Sequence, residues 1–361
     1  MNMNAQMLAH LQKTVSPHTV SRSALLSELK AIHIATEKDD VLDKELEVIL
    51  AHIISGNATE GFAILLSGKS GAGKSTILEK RLDDNPAFAP IKDEFGNELR
   101  LCLRLKTPAS CSVKSLGKAI LRATGYHLDR DRNEDYIWAK VTERLQKMQT
   151  RIIVLDEFQH VVNTPPSKGY LHLSDTIKNL MQVPGWPVWL ILSGVPDIER
   201  FLDRDPNGQM DRRAPVIAIG NLEDDEFDRE RVKQIIHVLA ETCKCEIAFP
   251  IEAEFVRRLM HGGLFRLGTT IQLIKNALVC CMWDDEALKA ETGEASSAGQ
   301  ALRWELAPRH FEEGYRRLSN CSEATNVFRA SKWWEIVREV DEDGNLVAAA
   351  APEKKMKASK K

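Results

Sequence analysis

The sequence predicts an α/β fold in which a parallel sheet flanked by helices is followed by a smaller helical subdomain. Three observations carry that expectation. The stretch GKSGAGKS, Gly68 to Ser75, lies between an apolar run, Phe62–Leu66, and a helix-like stretch, Thr76–Lys80. That is the strand–loop–helix setting of a phosphate-cradling loop. Short continuous apolar runs at Ile152–Leu155 and Val188–Leu192 have the character of strands buried on both faces, and their alternation with helical stretches implies a parallel sheet with helices on both sides. From about Asp224 onward the pattern becomes helical.

In chain order, residues 1–60 read as an N-terminal helical segment. Ser23–Leu29 is helical, and Asp39–Ile53 carries Leu42, Leu46, Ile49, Leu50 and Ile53 at spacings of three and four. Gly56-Asn57 stops it. Residues 61–222 form the α/β core. After the phosphate loop and its helix come a turn at Asp83–Pro86 and a strand over Leu99–Leu105, whose residues alternate. Helices over Val113–Thr124 and Tyr136–Met148 precede the strand Ile152–Leu155. A helix over Leu173–Met181 and strands over Val188–Leu192 and Pro215–Ile219 complete the core. Residues 223–285 read as a helical lid (Asp224–Thr242, Glu252–Met260, Thr269–Trp283). Residues 286–345 read as a C-terminal helical extension with a helix over Pro308–Leu318, after a mobile loop rich in Gly, Ser, Ala and Thr at Glu291–Gln300. Residues 346–361 read as a disordered basic tail, since the last nine carry five lysines against one glutamate.

Composition narrows the function classes. Hydrophobic content of 43% and charged content of 28% in 361 residues are ordinary for a globular protein. No apolar run approaches the ~20 residues of a membrane span, and the N-terminus lacks the tripartite order of a signal peptide, so a cytoplasmic protein with no membrane partner is expected. A net charge of −3 supplies no global field for nucleic acid, so contact with DNA must come from local patches. Seven cysteines, an odd number, argue against a disulfide framework. The pairs Cys243/Cys245 and Cys280/Cys281 lack the spaced partners of a zinc site.

The phosphate loop supplies the first candidate residues. Glycines 68, 71 and 73 allow backbone angles closed to other residues, so the N–H groups of Gly68, Lys69, Ser70, Gly71, Ala72, Gly73 and Thr76 can turn toward phosphate oxygens. Lys74 is placed to reach the β- and γ-phosphates of ATP, and Ser75 to ligate Mg²⁺. The strand Ile152–Leu155 ends in Asp156-Glu157, putting two carboxylates at the carboxyl edge of the sheet, where open α/β folds bind ligands. Asp156 is the second Mg²⁺ candidate, and Glu157 the base that activates water. Ser193 ends the Trp189–Leu192 strand and is read either as a γ-phosphate or water contact or as strand-end turn chemistry. Arg212 and Arg213, between a loop and a strand, are candidates for a neighbouring subunit's γ-phosphate. Arg266 opens a lid helix and is a candidate phosphate contact.

This series of motifs resembles the AAA+ ATPase plan, and finer features resemble the TniB/TnsC-type transposition ATPases. They are Ile32-His33 ahead of the core, LLSGKSGAGKST at 65–76, the Leu103–Pro108 strand followed by a helix ending Ala123-Thr124-Gly125, LDEFQH at 155–160, ILSGVPD at 191–197, and Gln209–Arg213 before a strand. The resemblance implies ATP binding and hydrolysis, with His33 on the adenine side. It also implies head-to-tail assembly on double-stranded DNA and a bridging role between a target-selection protein and a transposase. It places Arg213 at the adjacent subunit's ATP, with Arg212 as the alternative. Candidate duplex-backbone contacts are Lys114, Lys118 and Arg122 along one helix face, Lys147 and Arg151 beside the Asp-Glu strand, and Lys168 in the Thr164–Gly169 loop. Two other readings stay open: a nucleotide-switched signalling or defence scaffold without DNA, and a replication-type loader or remodelling ATPase.

Overall fold

The computed structural model describes residues 4–109, 111–162, 168–203, 214–284 and 304–337. The elements are α1 (Ala5–Thr14), α2 (Pro17–Ala31), α3 (Glu37–Ser55), β1 (Ala63–Gly68), α4 (Lys74–Asp84), β2 (Ile91–Lys92), β3 (Glu98–Leu99), β4 (Cys102–Lys106), α5 (Val113–Ala123), α6 (Glu134–Lys147) and β5 (Ile152–Asp156). They continue with α7 (Gln159–Val162), α8 (Lys168–Met181), β6 (Trp189–Gly194), α9 (Arg200–Asp203), β7 (Val216–Ile219), α10 (Glu226–Thr242), β8 (Cys245–Ile247), α11 (Ala253–Gly262), α12 (Leu267–Met282), β9 (Trp304–Leu306) and α13 (Pro308–Ser319). The Glu291–Gln300 loop and the 346–361 tail expected from composition lie outside the described residues.

The chain divides into two compact units, one over Ala35–Gly220 and one made of the residues before Ala35 and after Gly220. The first unit holds a parallel sheet in the order β4-β5-β6-β1-β7. Alternation along each strand splits its apolar side chains between the two faces. Ile64, Leu66, Ile152, Val154, Trp189 and Ile191 pack with Leu42, Leu46 and Ile49 of α3 and Ile77, Leu78 and Leu82 of α4. Leu65, Leu103, Ile153, Leu155, Leu190 and Leu192 pack on the opposite face, with α5, α6 and α8. Since all five strands are parallel, their carboxyl ends share one edge. Helix α3 is fixed at its start by a capping box, with Thr36 accepting from the Lys38 N–H and Asp39 accepting from the Thr36 N–H at 2.8 Å.

The strand expected over Leu99–Leu105 is two elements. Asp93 Oδ1 accepts from the N–H groups of Phe95 (2.9 Å) and Asn97 (2.8 Å), folding a tight turn. Ile91 and Lys92 then pair antiparallel with Leu99 and Glu98, so only Cys102–Lys106 joins the main sheet. Alternation cannot reveal the break, because both strands keep the same period.

In the second unit, one core joins α2, α10, α11, α12, α13 and a two-stranded parallel sheet of β8 and β9. Leu29, Val232, Ile236, Leu239, Leu259, Ile274, Leu278, Trp304, Phe311 and Tyr315 are all buried within it. The lid and the C-terminal extension, separate segments in the sequence reading, therefore share their apolar interior. Helices α12 and α13 approach so closely that a Cβ at Gly314 would lie 2.9 Å from the Ala277 nitrogen. All seven cysteines are buried and none is in a disulfide. Burial pushes the Cys111 thiol up to about 12. Among the described residues no cluster of His, Cys, Asp and Glu is suited to a metal ion, and no helix is long and apolar enough to cross a membrane.

Candidate active site

Strand β1 ends at Gly68, and the chain turns through Gly71 (φ 74°) and Gly73 (φ 107°) before α4 begins at Lys74. Both glycines lie in the left-handed region that a side chain disfavours. No side chain caps α4, so its first N–H groups and the positive end of its dipole face the loop, a ready anion site. Lys74 is buried and donates from Nζ to the carbonyls of Gly68 (2.7 Å) and Lys69 (3.1 Å). Lys69, Gly71 and Thr76 are exposed, whereas Gly68 and Ala72 are buried beneath the turn and Ser70 and Ser75 are partly covered.

The second half of the site comes from β5. Ser75 Oγ donates to Asp156 Oδ2 at 3.0 Å, a contact spanning 81 positions in the chain. Asp156 Oδ1 accepts from the Glu157 N–H, also at 3.0 Å. Glu157 itself stands at φ 57°, a conformation costly for a residue with a Cβ and concentrated at functional sites. Its carboxylate accepts from Gln159 Nε2. The other end of the Gln159 amide, Oε1, accepts from the Val195 N–H at 3.4 Å, just past the end of β6. A Cβ at Gly194 would sit 2.6 Å from that same Oε1, so glycine is required for the link to form.

Ser193 is fully buried and its hydroxyl has no hydrogen-bond partner. The β5–β6 register pairs Leu155 with Leu192, which sets Ser193 beside Asp156 on the next step and, by alternation, on the same face of the sheet. Thr107, just past β4, is also buried with an unpartnered hydroxyl, and its N–H donates to the Asp156 carbonyl at 2.8 Å. Ser193 thus lies beside Asp156 with an orphaned hydroxyl, and Thr107, one step beyond Lys106, the register partner of Asp156, carries a second. Buried polar groups are rarely left so. Hydroxyl and carboxylate oxygens are also the donor set that Mg²⁺ prefers, so the residues fit the ion and a nucleotide.

Sequence reasoning missed Gln159, Thr107 and Glu199, whose Oε1 accepts from Ser67 Oγ at 2.6 Å. Gln159 lay within the LDEFQH run, but nothing local shows that its amide spans to another strand. Ser67 and Glu199 are 132 positions apart, beyond the reach of any spacing rule.

Other nominated residues fall elsewhere. Arg212 and Arg213 lie outside the described residues. His33 and Arg266 belong to the second unit. His33 is partly exposed between α2 and α3, and Arg266 is buried at the position preceding α12, after Leu264 (φ 59°) and Phe265 (φ 54°). Lys114 and Lys118 line one face of α5 but close on Asp131 at 2.6 and 2.7 Å, and together they hold its carboxyl down at about 2. Arg122 continues the row, exposed and with no side-chain partner among the described residues. Lys147 pairs with Glu143 at 2.9 Å. The Arg151 guanidinium lies 3.6 Å from the Trp186 ring centroid and donates to the Pro187 carbonyl at 3.2 Å. A partly buried arginine stacked in this way secures the start of β5. Lys168 opens helix α8 instead of lying in the preceding loop, and its side chain is outside the described residues.

Comparison with known proteins follows this geometry. The chain is similar in structure to Cdc6p from Pyrobaculum aerophilum, with 12% identity over 80% of this chain and 69% of that one at a TM-score of 0.50. It is likewise similar to the ADP form of ORC2 from Aeropyrum pernix, with 14% identity over 79% and 68% at a TM-score of 0.51. At such identities the likeness speaks for the fold alone, the P-loop AAA+ ATPase fold with its helical regions. No curated protein matches the chain. A family model described as bacterial TniB protein matches residues 30–221. That span exceeds half of the 361 residues and runs from His33 through every strand of the main sheet. The chain belongs to the bacterial TniB family.

Proposed function

We propose that this protein is an ATP-hydrolysing regulator of DNA transposition that assembles head-to-tail on duplex DNA and links a target-selection protein to a transposase. The observation that carries the ATPase part is the 3.0 Å contact between Ser75 and Asp156, which joins the phosphate loop to the strand-end carboxylate. Family membership supports the transposition part.

In the proposed reaction the amides of the loop and the uncapped start of α4 bind the phosphate chain. Lys74 exchanges its two carbonyl partners for β- and γ-phosphate oxygens, a substitution of acceptors that needs only side-chain rotation. Ser75 and Asp156 would hold Mg²⁺, which supplies charge neutralisation at the phosphates. Glu157 takes the proton of the attacking water, and Gln159 keeps the glutamate oriented from the end of β6. Ser193, its hydroxyl already desolvated, donates to the γ-phosphate or to the water at no further burial cost. By the family resemblance, Arg213, or Arg212 beside it, completes the site from an adjacent subunit. Such a heterologous contact builds rings or open helices in place of two-fold dimers.

One experiment tests both halves. ATP turnover of the purified protein is expected to rise with protein concentration and with added duplex. Arg213→Ala and Lys74→Ala subunits, each inactive alone, should regain partial turnover when mixed. Turnover indifferent to duplex would support a scaffold without DNA, and turnover independent of concentration with no rescue on mixing would place the whole site within one chain.

A further inference from the structure

The first unit has a second polar recess at the opposite edge of its sheet. A cavity of about 620 Å³ opens between the C-terminal ends of α5 and α6 and the β2–β3 hairpin, lined by Arg100, Arg122, Arg144, Lys147, Glu98 and Asn97 among others. Its volume falls within the usual range of small-molecule sites. The Arg100 N–H donates to the Met148 carbonyl at 2.8 Å immediately before β4 and β5 begin, which fixes the recess at the amino ends of the strands. Gly68, Asp156 and Ser193 lie at the carboxyl ends. The five residues of β5 alone separate the two places by roughly 16 Å, so the recess is not an extension of the nucleotide site.

Four cations line it against one carboxylate, and the pairing among them is uneven. Glu98 engages Arg100, and Glu143 engages Lys147 at 2.9 Å. Among the described residues, Arg122 and Arg144 have no carboxylate. Arg144 donates from one terminal nitrogen to the Thr124 carbonyl at 2.9 Å, while its Nε is buried with no partner. The negative end of α5 explains the first of these contacts. It explains neither the buried Nε nor the unengaged Arg122. Two guanidinium forks facing a recess match the oxygens of a phosphate group or a linked pair of them.

We propose that this recess binds a compact anion bearing two or more negative charges on phosphate oxygens, a small phosphate ester or polyphosphate, independently of the nucleotide at the P-loop. A duplex is too wide to enter a concavity of this size, and its backbone is gripped by cations along an exposed ridge. The recess therefore belongs to a small molecule and not to the DNA track.

The test uses the full-length Lys74→Ala protein, whose P-loop lacks its ammonium, titrated calorimetrically with inorganic pyrophosphate. Binding is expected to persist, to weaken at least tenfold with Arg122→Gln or Arg144→Gln added, and to be unaffected by saturating duplex. Arg144 also packs near the Tyr126 ring, so its substitution disturbs packing as well as charge. Arg122 is exposed and holds no protein group, which leaves Arg122→Gln as the clean variant. Failure of the Lys74→Ala protein to bind pyrophosphate, or equal affinity after Arg122→Gln, would overturn the proposal. Displacement of pyrophosphate by duplex would overturn it as well, by assigning the recess to DNA backbone.

Discussion

The two units bury polar groups in opposite states. In the sheet unit, the hydroxyls of Thr107 and Ser193 are buried without partners among the described residues, Glu157 stands at a positive φ, and Lys74 donates to loop carbonyls. In the helical unit buried and half-buried polar groups are closed by side-chain and backbone partners. His310 accepts the Ala307 N–H at Nδ1 (3.0 Å), which leaves Nε2 as the protonated nitrogen, and that nitrogen donates to Asp284 Oδ2 (2.9 Å). Lys275 donates to the Ile32 carbonyl at 3.0 Å, and Arg258 to the carbonyls of Val327 and Ala330 at 2.8 and 2.9 Å. Satisfied groups hold a fold together, whereas an orphaned one calls for an explanation. One exception in the helical unit is instructive. Thr270, whose buried hydroxyl lacks a partner, lies one helical turn from Arg266, the residue of the lid nominated for phosphate contact.

The largest effect expected from this contrast concerns Glu157. Glu157→Gln keeps the shape and removes the base, so single-turnover hydrolysis should fall by about 10²–10⁴-fold while ATP still binds. Unchanged hydrolysis would remove Glu157 from the chemistry. A paired measurement addresses the contrast itself. His310→Ala should lower stability to urea by about 2 kcal/mol, since it breaks two buried hydrogen bonds, whereas Ser193→Ala should shift stability by no more than about 0.5 kcal/mol yet slow turnover. If Ser193→Ala costs stability and spares turnover, the orphaned hydroxyl is packing and not site. Gln159→Ala should slow turnover roughly fivefold at unchanged KM, the ~1 kcal/mol of one lost orienting hydrogen bond. A change confined to KM would place Gln159 in binding. The smallest effect belongs to Asp131, which now occupies Lys114 and Lys118. Asp131→Asn should raise duplex affinity roughly threefold at low salt, the scale of an exposed ion pair, and a loss of affinity would show that these lysines do not face DNA.

Legibility followed sequence distance. The phosphate loop, the Asp156-Glu157 strand end and the run of buried strands could be read because each is a local pattern: glycines at fixed offsets, or an apolar stretch ending in charge. The helices α10, α12 and α13 were equally plain from their period. The β8–β9 pair was not. Each strand has three residues, and Cys245 pairs with Trp304 across a long intervening stretch that includes α11 and α12. Three residues are too few to establish a period, and parallel pairing leaves no turn signature. The same limit hid the Gln159 bridge. It also hid the stacking of Arg151 on Trp186, which is 35 positions away and depends on tertiary structure.

The shared interior of the helical unit bears on how the protein can be cut. A domain end drawn after Met282, the last residue of α12, invites expression of the preceding residues alone. Such a fragment would strip Trp304, Leu306, Phe311 and Tyr315 from the core they help to close. It would also leave β8 as an uncovered edge, the kind of surface along which chains associate. What reads as an appendix in the sequence is the wall that keeps this unit's apolar interior away from its neighbours in solution.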